Sequence, residues 1–227
     1  MTSVIKTFSK EVGSVFKSGS SVFVSGPPFF GKTYFIQKVL LNRHLLFNTF
    51  PEKIMIVYKE WQDSYTVLSD FFASKISFVT LSELPDLKKM SNLMIIFDDI
   101  IQNISDEIIE CALIGVHHRS LCIFFLTQSI YYNEKLKFLR KNCNMYIFLS
   151  PLESVSIFRL LSNDLTKEQL KRFKNKFNIP MKIGQYSHLI YTRDVTTPAI
   201  LRFKFDIFCK IDNPSCIYEY KCLKIFE

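Results

Sequence analysis

Ser21-Val22-Phe23-Val24-Ser25-Gly26-Pro27-Pro28-Phe29-Phe30-Gly31-Lys32-Thr33 is the stretch that decides the fold. Its first five residues are a short apolar run of the kind buried on both faces of a parallel sheet. From Gly26 the chain reads G-x-x-x-x-G-K-[ST], and Gly31–Arg43 then places Phe35, Ile36, Val39 and Leu40 at helical spacing. A strand, a glycine-bounded turn and a helix in that order give this spacing its chemical meaning. Backbone N–H groups of the turn curl around a phosphate, and the helix N-terminus adds partial positive charge. Gly26, Pro27, Pro28, Phe29, Phe30, Gly31, Lys32 and Thr33 are therefore the candidate nucleotide-binding residues. Lys32 reaches the β- and γ-phosphates of ATP, and the Thr33 hydroxyl ligates Mg²⁺. The chain has only six glycines, and two of them sit at this spacing.

Outward from this stretch, further short apolar runs predict strands at Ile54–Tyr58, Ile76–Thr80, Leu93–Phe97, Leu121–Leu126 and Met145–Leu149. Helical patterns lie between them, including one that Ser105 caps and that runs through Ile108, Cys111, Ala112 and Val116. This alternation predicts an α/β three-layer fold with a mainly parallel central sheet. Leu93–Phe97 ends in Asp98-Asp99. An acid at the end of a buried strand is the partner a phosphate loop needs: Asp98 for Mg²⁺, and Asp99 to polarise the attacking water. Asp99 is one methylene shorter than the Glu more usual in that role. Leu121–Leu126 runs into Thr127-Gln128-Ser129, where Gln128 is placed to sense the γ-phosphate or to orient the water. Arg119, just before that strand, and Arg140, in Leu139-Arg140-Lys141-Asn142, are candidates for an arginine that reaches a neighbouring subunit's site. The adjacent His117 and His118 point to different sides of a helix, which argues against a shared metal.

After Pro151 the pattern changes. Thr166 to Gln169 reads as a capping box, with Leu170, Phe173 and Phe177 as one apolar stripe. Ser187–Thr192 and Ala199–Phe208 read as two strands around the turn Thr196-Thr197-Pro198, and Cys209–Glu227 carries no clear signal. The chain of 227 residues has net charge +8. Lys135 to Lys182 holds eleven Lys and Arg against Glu153, Asp164 and Glu168, so this segment carries all of the excess. Lys171, Arg172 and Lys174 are its candidate contacts to nucleic-acid phosphates, which are largely independent of base sequence. Phe173 and Phe177 have the spacing of a core stripe rather than of base stacking. No apolar run approaches the ~20 residues needed to span a bilayer, and residues 1–10 lack a secretory h-region. The six cysteines form no CxxC pair; Cys209, Cys216 and Cys222 fit no common zinc spacing. A soluble intracellular protein with reduced thiols is the class these features predict.

Together these residues resemble the FtsK–HerA superfamily, and within it the genome-packaging ATPases of poxvirus-like and Polinton- or virophage-like elements. The resemblance rests on Ser25-Gly26-Pro27 through Thr33, on Phe97-Asp98-Asp99, and on His118-Arg119 running into Phe125-Leu126-Thr127-Gln128-Ser129. Leu139-Arg140-Lys141-Asn142 and the segment Ile54–Tyr65, with Tyr58, Trp61, Gln62 and Tyr65, add to it. It covers about residues 20–150 well and 151–208 loosely. It implies a single P-loop ATPase domain over 1–227, with a basic helical and β-hairpin C-terminal part. It also implies a homo-oligomeric ring, a hexamer or pentamer, that translocates double-stranded DNA into a capsid within an infected host cell, with a capsid protein as a further partner. By position Lys32 and Thr33 bind phosphate and Mg²⁺, Asp98 binds Mg²⁺, Asp99 activates water, Gln128 is the sensor and Arg119 the trans-acting finger. Two features depart from the pattern: the bulky Pro27-Pro28-Phe29-Phe30, and His117 where a glycine is common. The rival readings are another P-loop NTPase (a replicative helicase or nucleoside kinase) and a P-loop-fold DNA-binding or scaffold protein that does not hydrolyse ATP.

Overall fold

A computed structural model describes residues 5–9, 14–100, 103–181, 187–205, 207–208 and 219–226. The strands are β1 (Ile5–Ser9), β2 (Ser21–Ser25), β3 (Lys53–Tyr58), β4 (Ile76–Val79), β5 (Leu93–Asp98), β6 (Cys122–Thr127), β7 (Met145–Phe148), β8 (Leu189–Thr192), β9 (Phe203–Phe205) and β10 (Glu219–Leu223). They form one sheet in the order β1-β10-β9-β8-β7-β2-β6-β5-β3-β4. From β7 to β4 all neighbours are parallel. The helices are α1 (Lys32–Leu41), α2 (Arg43–Leu46), α3 (Asp63–Phe72), α4 (Asp106–Glu110), α5 (Val116–His118), α6 (Glu134–Asn142), α7 (Ser154–Leu161), α8 (Lys167–Lys176) and α9 (Asn178–Met181).

The continuous apolar runs are central strands because both of their faces are covered. Every residue of β2, β5, β6 and β7 is buried. Phe23, Ile95, Phe97, Ile123 and Phe125 face a core completed by α4, α6, α7 and α8. Val22, Val24, Ile96, Phe124 and Leu126 face the opposite core, which α1 and α3 complete through Phe35, Ile36, Val39, Tyr65 and Leu68. Full burial of such a side chain contributes about 1.5–3 kcal/mol, so these rows anchor the strand ends that carry polar groups. Ser105 caps α4 by accepting from the Ile108 N–H at 3.3 Å, but the predicted helix is not uniform: Cys111–Gly115 forms a π-turn before α5.

The C-terminal part is larger than the predicted hairpin. β8 and β9 are antiparallel, but Ala199–Leu201 is a 3-10 turn, so β9 begins only at Phe203. β10 and β1 then add two further antiparallel strands. These two strands are short and compositionally mixed, too weak for a periodicity signal. The capping box of α8 is present, with the Gln169 N–H donating to Thr166 Oγ1 at 3.2 Å. Phe173 and Phe177 are core, packing on Phe158, and Phe173 also on Phe203. Cys111, Cys122, Cys143 and Cys222 are buried free thiols; burial pushes Cys111 up to about 11 and the other three to about 12. Cys209 and Cys216 lie outside the described residues. Among the described residues no helix is long and apolar enough to cross a membrane.

Candidate functional site

Parallel strands end on a common edge, and here that edge collects the polar residues. In register, Ser25 lies beside Thr127 and Phe148, and Asp98 beside Leu126. The loop after β2, the acids after β5 and the polar residues after β6 therefore meet at the carboxyl ends of the strands, where open α/β sheets bind ligands. The Gly26 N–H donates to the Thr127 carbonyl at 3.1 Å. A Cβ on Gly26 would sit 3.0 Å from that of Leu149, so a side chain here would press on the residue just after β7. Gly31, at φ 79°, makes the left-handed turn that starts α1, and its carbonyl accepts from the Phe35 N–H at 2.7 Å. Phe29 also has positive φ, 67°, and is fully exposed. Its bulk therefore points to solvent and leaves the turn free to hold a phosphate.

Lys32 Nζ donates to the carbonyls of Gly26 at 2.9 Å and Pro27 at 3.2 Å. The ammonium thus spans the concave side of its own loop, on bonds a phosphate oxygen can replace. Burial lowers the Lys32 pKa; Asp99, Asp98 and Glu153 oppose that shift. Thr33 Oγ1 donates to Asp98 Oδ2 at 3.2 Å. A hydroxyl and a carboxylate this close offer hard oxygens to one small cation, and the pair fits Mg²⁺ held partly by protein and partly by phosphate. Among the described residues no group of three or more His, Cys, Asp or Glu could hold a metal. Burial raises the Asp98 pKa, against hydrogen bonds from Tyr65 and Thr33 that lower it. Next to it, Gln128 Nε2 donates to Asp99 Oδ2. Asp99 has φ 57°, a strained backbone for a non-glycine residue, and it directly follows the last residue of β5.

Two residues of this edge had no role in the sequence reading. Tyr65 on α3 donates its hydroxyl to Asp98 Oδ2 at 2.6 Å, and its ring is packed among Tyr58, Trp61 and Phe78. Glu153 accepts from Ser25 Oγ at 2.7 Å, beside the loop. Tyr65 lay in a segment of the resemblance, but only the packing of α3 against Tyr58 of β3 and Phe78 of β4 aims its hydroxyl; Glu153 carried no signal. Tyr65 is a positioning residue for Asp98. Tyr65→Phe is expected to raise the Mg²⁺ concentration for half-maximal ATP hydrolysis about tenfold, the scale of lost second-shell support. Metal-free nucleotide binding should be unchanged. An unaltered Mg²⁺ dependence would reduce Tyr65 to a packing residue.

The two candidate fingers lie elsewhere. Arg140 is buried; its guanidinium donates to the Ile130 carbonyl and stacks over Tyr131 at 4.2 Å. Arg119 precedes β6 and so sits at the edge of the sheet opposite the loop. It is half-buried and donates to the Leu87 carbonyl at 2.6 Å. On α8, Lys171 and Lys174 are exposed, while Arg172 is paired with Glu168 at 2.7 Å.

No protein-family model matches the sequence, and no curated protein does. Solved structures do match. One is the genome packaging NTPase B204 from Sulfolobus turreted icosahedral virus 2 in complex with ATP-gammaS, at 19% identity, TM-score 0.52, covering 77% of this chain and 93% of that one. The same protein with sulfate matches at 18% identity and TM-score 0.51, covering 77% and 91%. B204 from Sulfolobus turreted icosahedral virus matches at 20% identity and TM-score 0.51, covering 78% and 94%. The chain has the fold of a P-loop NTPase. At these identities the likeness is one of fold. Within that P-loop NTPase fold, the motif residues Lys32, Thr33, Asp98, Asp99 and Gln128 stand on one edge of the sheet.

Proposed function

We propose that this chain is an ATP-hydrolysing motor that moves double-stranded DNA, and that its cargo is a viral genome entering a capsid. The observation that carries the reading is the joined pair of contacts Thr33–Asp98 and Gln128–Asp99 beside Lys32. Lys32 exchanges the Gly26 and Pro27 carbonyls for β- and γ-phosphate oxygens. Thr33 and Asp98 would hold Mg²⁺, which when bound neutralises charge on the phosphates. Asp99 and Gln128 hold each other. Once Gln128 turns to the γ-phosphate, the Asp99 carboxylate is released to accept a hydrogen bond from the attacking water and orient it. The fold and the size of the B204 proteins, whose described role is genome packaging, support the cargo.

In the ring this reading implies, Arg119 of one subunit serves the next subunit's site. Its place on the far edge of the sheet suits a head-to-tail interface, in which opposite edges meet and the rotation closes. The outer face of α8, with Lys171, Arg172 and Lys174, is the proposed DNA-backbone contact, with a capsid protein as docking partner in the infected cell. The alternative, a P-loop-fold DNA-binding or scaffold protein without hydrolysis, draws on one observation: Asp99 is short for a water-activating acid and is engaged by Gln128.

Measuring ATP hydrolysis with and without duplex DNA separates these readings. Stimulation by DNA supports the motor, and absence of hydrolysis by the wild type supports the scaffold. Mixing Arg119→Ala with Lys32→Ala subunits is expected to recover activity that neither has alone; no recovery removes Arg119 from the trans role. Neutralising Lys171, Arg172 and Lys174 is expected to cut the slope of log affinity against log salt by about 2–3. An unchanged slope removes α8 from the DNA surface.

A further inference from the structure

The amino ends of β3, β4 and β5 border a cavity of about 460 Å³, within the size range of small-ligand pockets. Its polar lining is Lys53, Lys75, Lys89, Ser74, Ser77 and Ser91, and no carboxylate lines it among the described residues. The three lysines come from segments far apart in the chain and lie outside the basic stretch 135–182, so it is the fold that gathers this charge. Lys53 and Lys75 each precede one member of the register pair Ile54–Ile76. That sets two like charges on neighbouring strand ends, on the order of 5 Å apart at the backbone, where they repel. Nothing in the fold offsets them: among the described residues neither ammonium has a hydrogen bond, an ion pair or an aromatic partner. Both side chains are exposed, so an incoming group can reach them. Lys89 is different, since Asp86 holds it at 3.2 Å; the open cations are Lys53 and Lys75. The hydroxyls of Ser74 and Ser91 also make no hydrogen bond among the described residues. Buried Ile54, Met55 and Leu93 form the apolar wall, which lowers the local dielectric and strengthens attraction to an anion. Two open cations and two open hydroxyl donors around one concave space suit an oxyanion with several acceptor oxygens, as a phosphate has.

We infer that this cavity is a second anion site, which takes a phosphate group from a phosphorylated small molecule or from a nucleic-acid backbone. It lies at the opposite ends of the strands from Lys32 and Asp98, so the inference stands independently of the proposed activity.

Pyrophosphate titrated calorimetrically into the full chain tests it, with Lys32→Ala introduced to disable the P-loop. The Lys32→Ala chain is expected to bind one pyrophosphate at this cavity. Adding Lys53→Gln or Lys75→Gln should weaken that binding severalfold, the scale of one exposed ion pair, and adding both should weaken it about tenfold or more. Both side chains are exposed, and each substitution relieves the repulsion between them, so the variants are expected to melt at or slightly above the temperature of their parent. Absence of binding by the Lys32→Ala chain overturns the site. Affinity unchanged by the double substitution, in a variant that melts normally, overturns it as well, because the anion is then held elsewhere. A short duplex DNA assigns the source. Displacement of pyrophosphate points to a backbone phosphate, and retention alongside DNA points to a phosphorylated small molecule.

Discussion

Lys32→Ala is expected to lower the ATP turnover rate by at least about 10²–10³-fold, the scale of losing one preorganised group that meets developing charge. The structure explains why nothing nearby substitutes for it. Lys32 is the cation that bridges the Gly26 and Pro27 carbonyls, and the charged neighbours that act on it are Asp99, Asp98 and Glu153. Without the ammonium, three carboxylates would face the phosphates with only the backbone N–H groups and the metal to oppose them. Folding should survive, because Lys32 is only half-buried and its hydrogen bonds go to two loop carbonyls that water can reach once the side chain is gone. The check is a pair of measurements, steady-state phosphate release and thermal unfolding. Turnover within a few-fold of wild type, in a variant that melts normally, would sink the P-loop reading.

Lys204→Met is expected to have the largest effect on stability, and the sign is unusual: the variant should be more stable near neutral pH. Burial lowers the Lys204 pKa from 10.5 to about 8, with Cys222 and Asp194 raising it and Lys17 adding to the fall. The folded chain therefore binds fewer protons than the unfolded chain between these two values. Stability from this group is accordingly lower below about pH 8 and rises as pH climbs toward 10.5. At neutral pH the penalty is on the order of 3 kcal/mol. Methionine keeps the length and apolar stem without the charge, so it removes both the penalty and the pH slope. Chemical denaturation at pH 7, 8 and 9 checks this: the wild type should gain stability with pH from this group and the variant should not. Equal slopes in the two proteins would mean that Lys204 is fully compensated as it stands.

Much of the nucleotide edge was legible in the sequence because its determinants are local. A strand, a glycine turn and a helix are encoded within Ser21–Leu41, and the two acids are fixed to the end of their strand by adjacency. Gln128 follows from the same logic: a polar residue just after a buried apolar run emerges where that run leaves the core. Arg140 shows the opposite case. It is a charged residue in a basic stretch, and nothing in its neighbours says that α6 turns it inward onto Ile130 and Tyr131. The antiparallel strands β1 and β10 were illegible for a related reason, since a strand of five mixed residues is defined by the partner it meets rather than by its own pattern.

The sequence by itself determined the layered α/β architecture, the phosphate loop and the strand ends that carry Asp98, Asp99 and Gln128, because hydrophobic period and motif spacing act over a few residues. Only the tertiary structure decided that Tyr65 holds Asp98, that Arg119 stands on the far edge, and that Lys204 lies buried in the antiparallel part of the sheet. Those placements depend on which strands become neighbours and in what register, and register is set by packing between segments far apart in the chain.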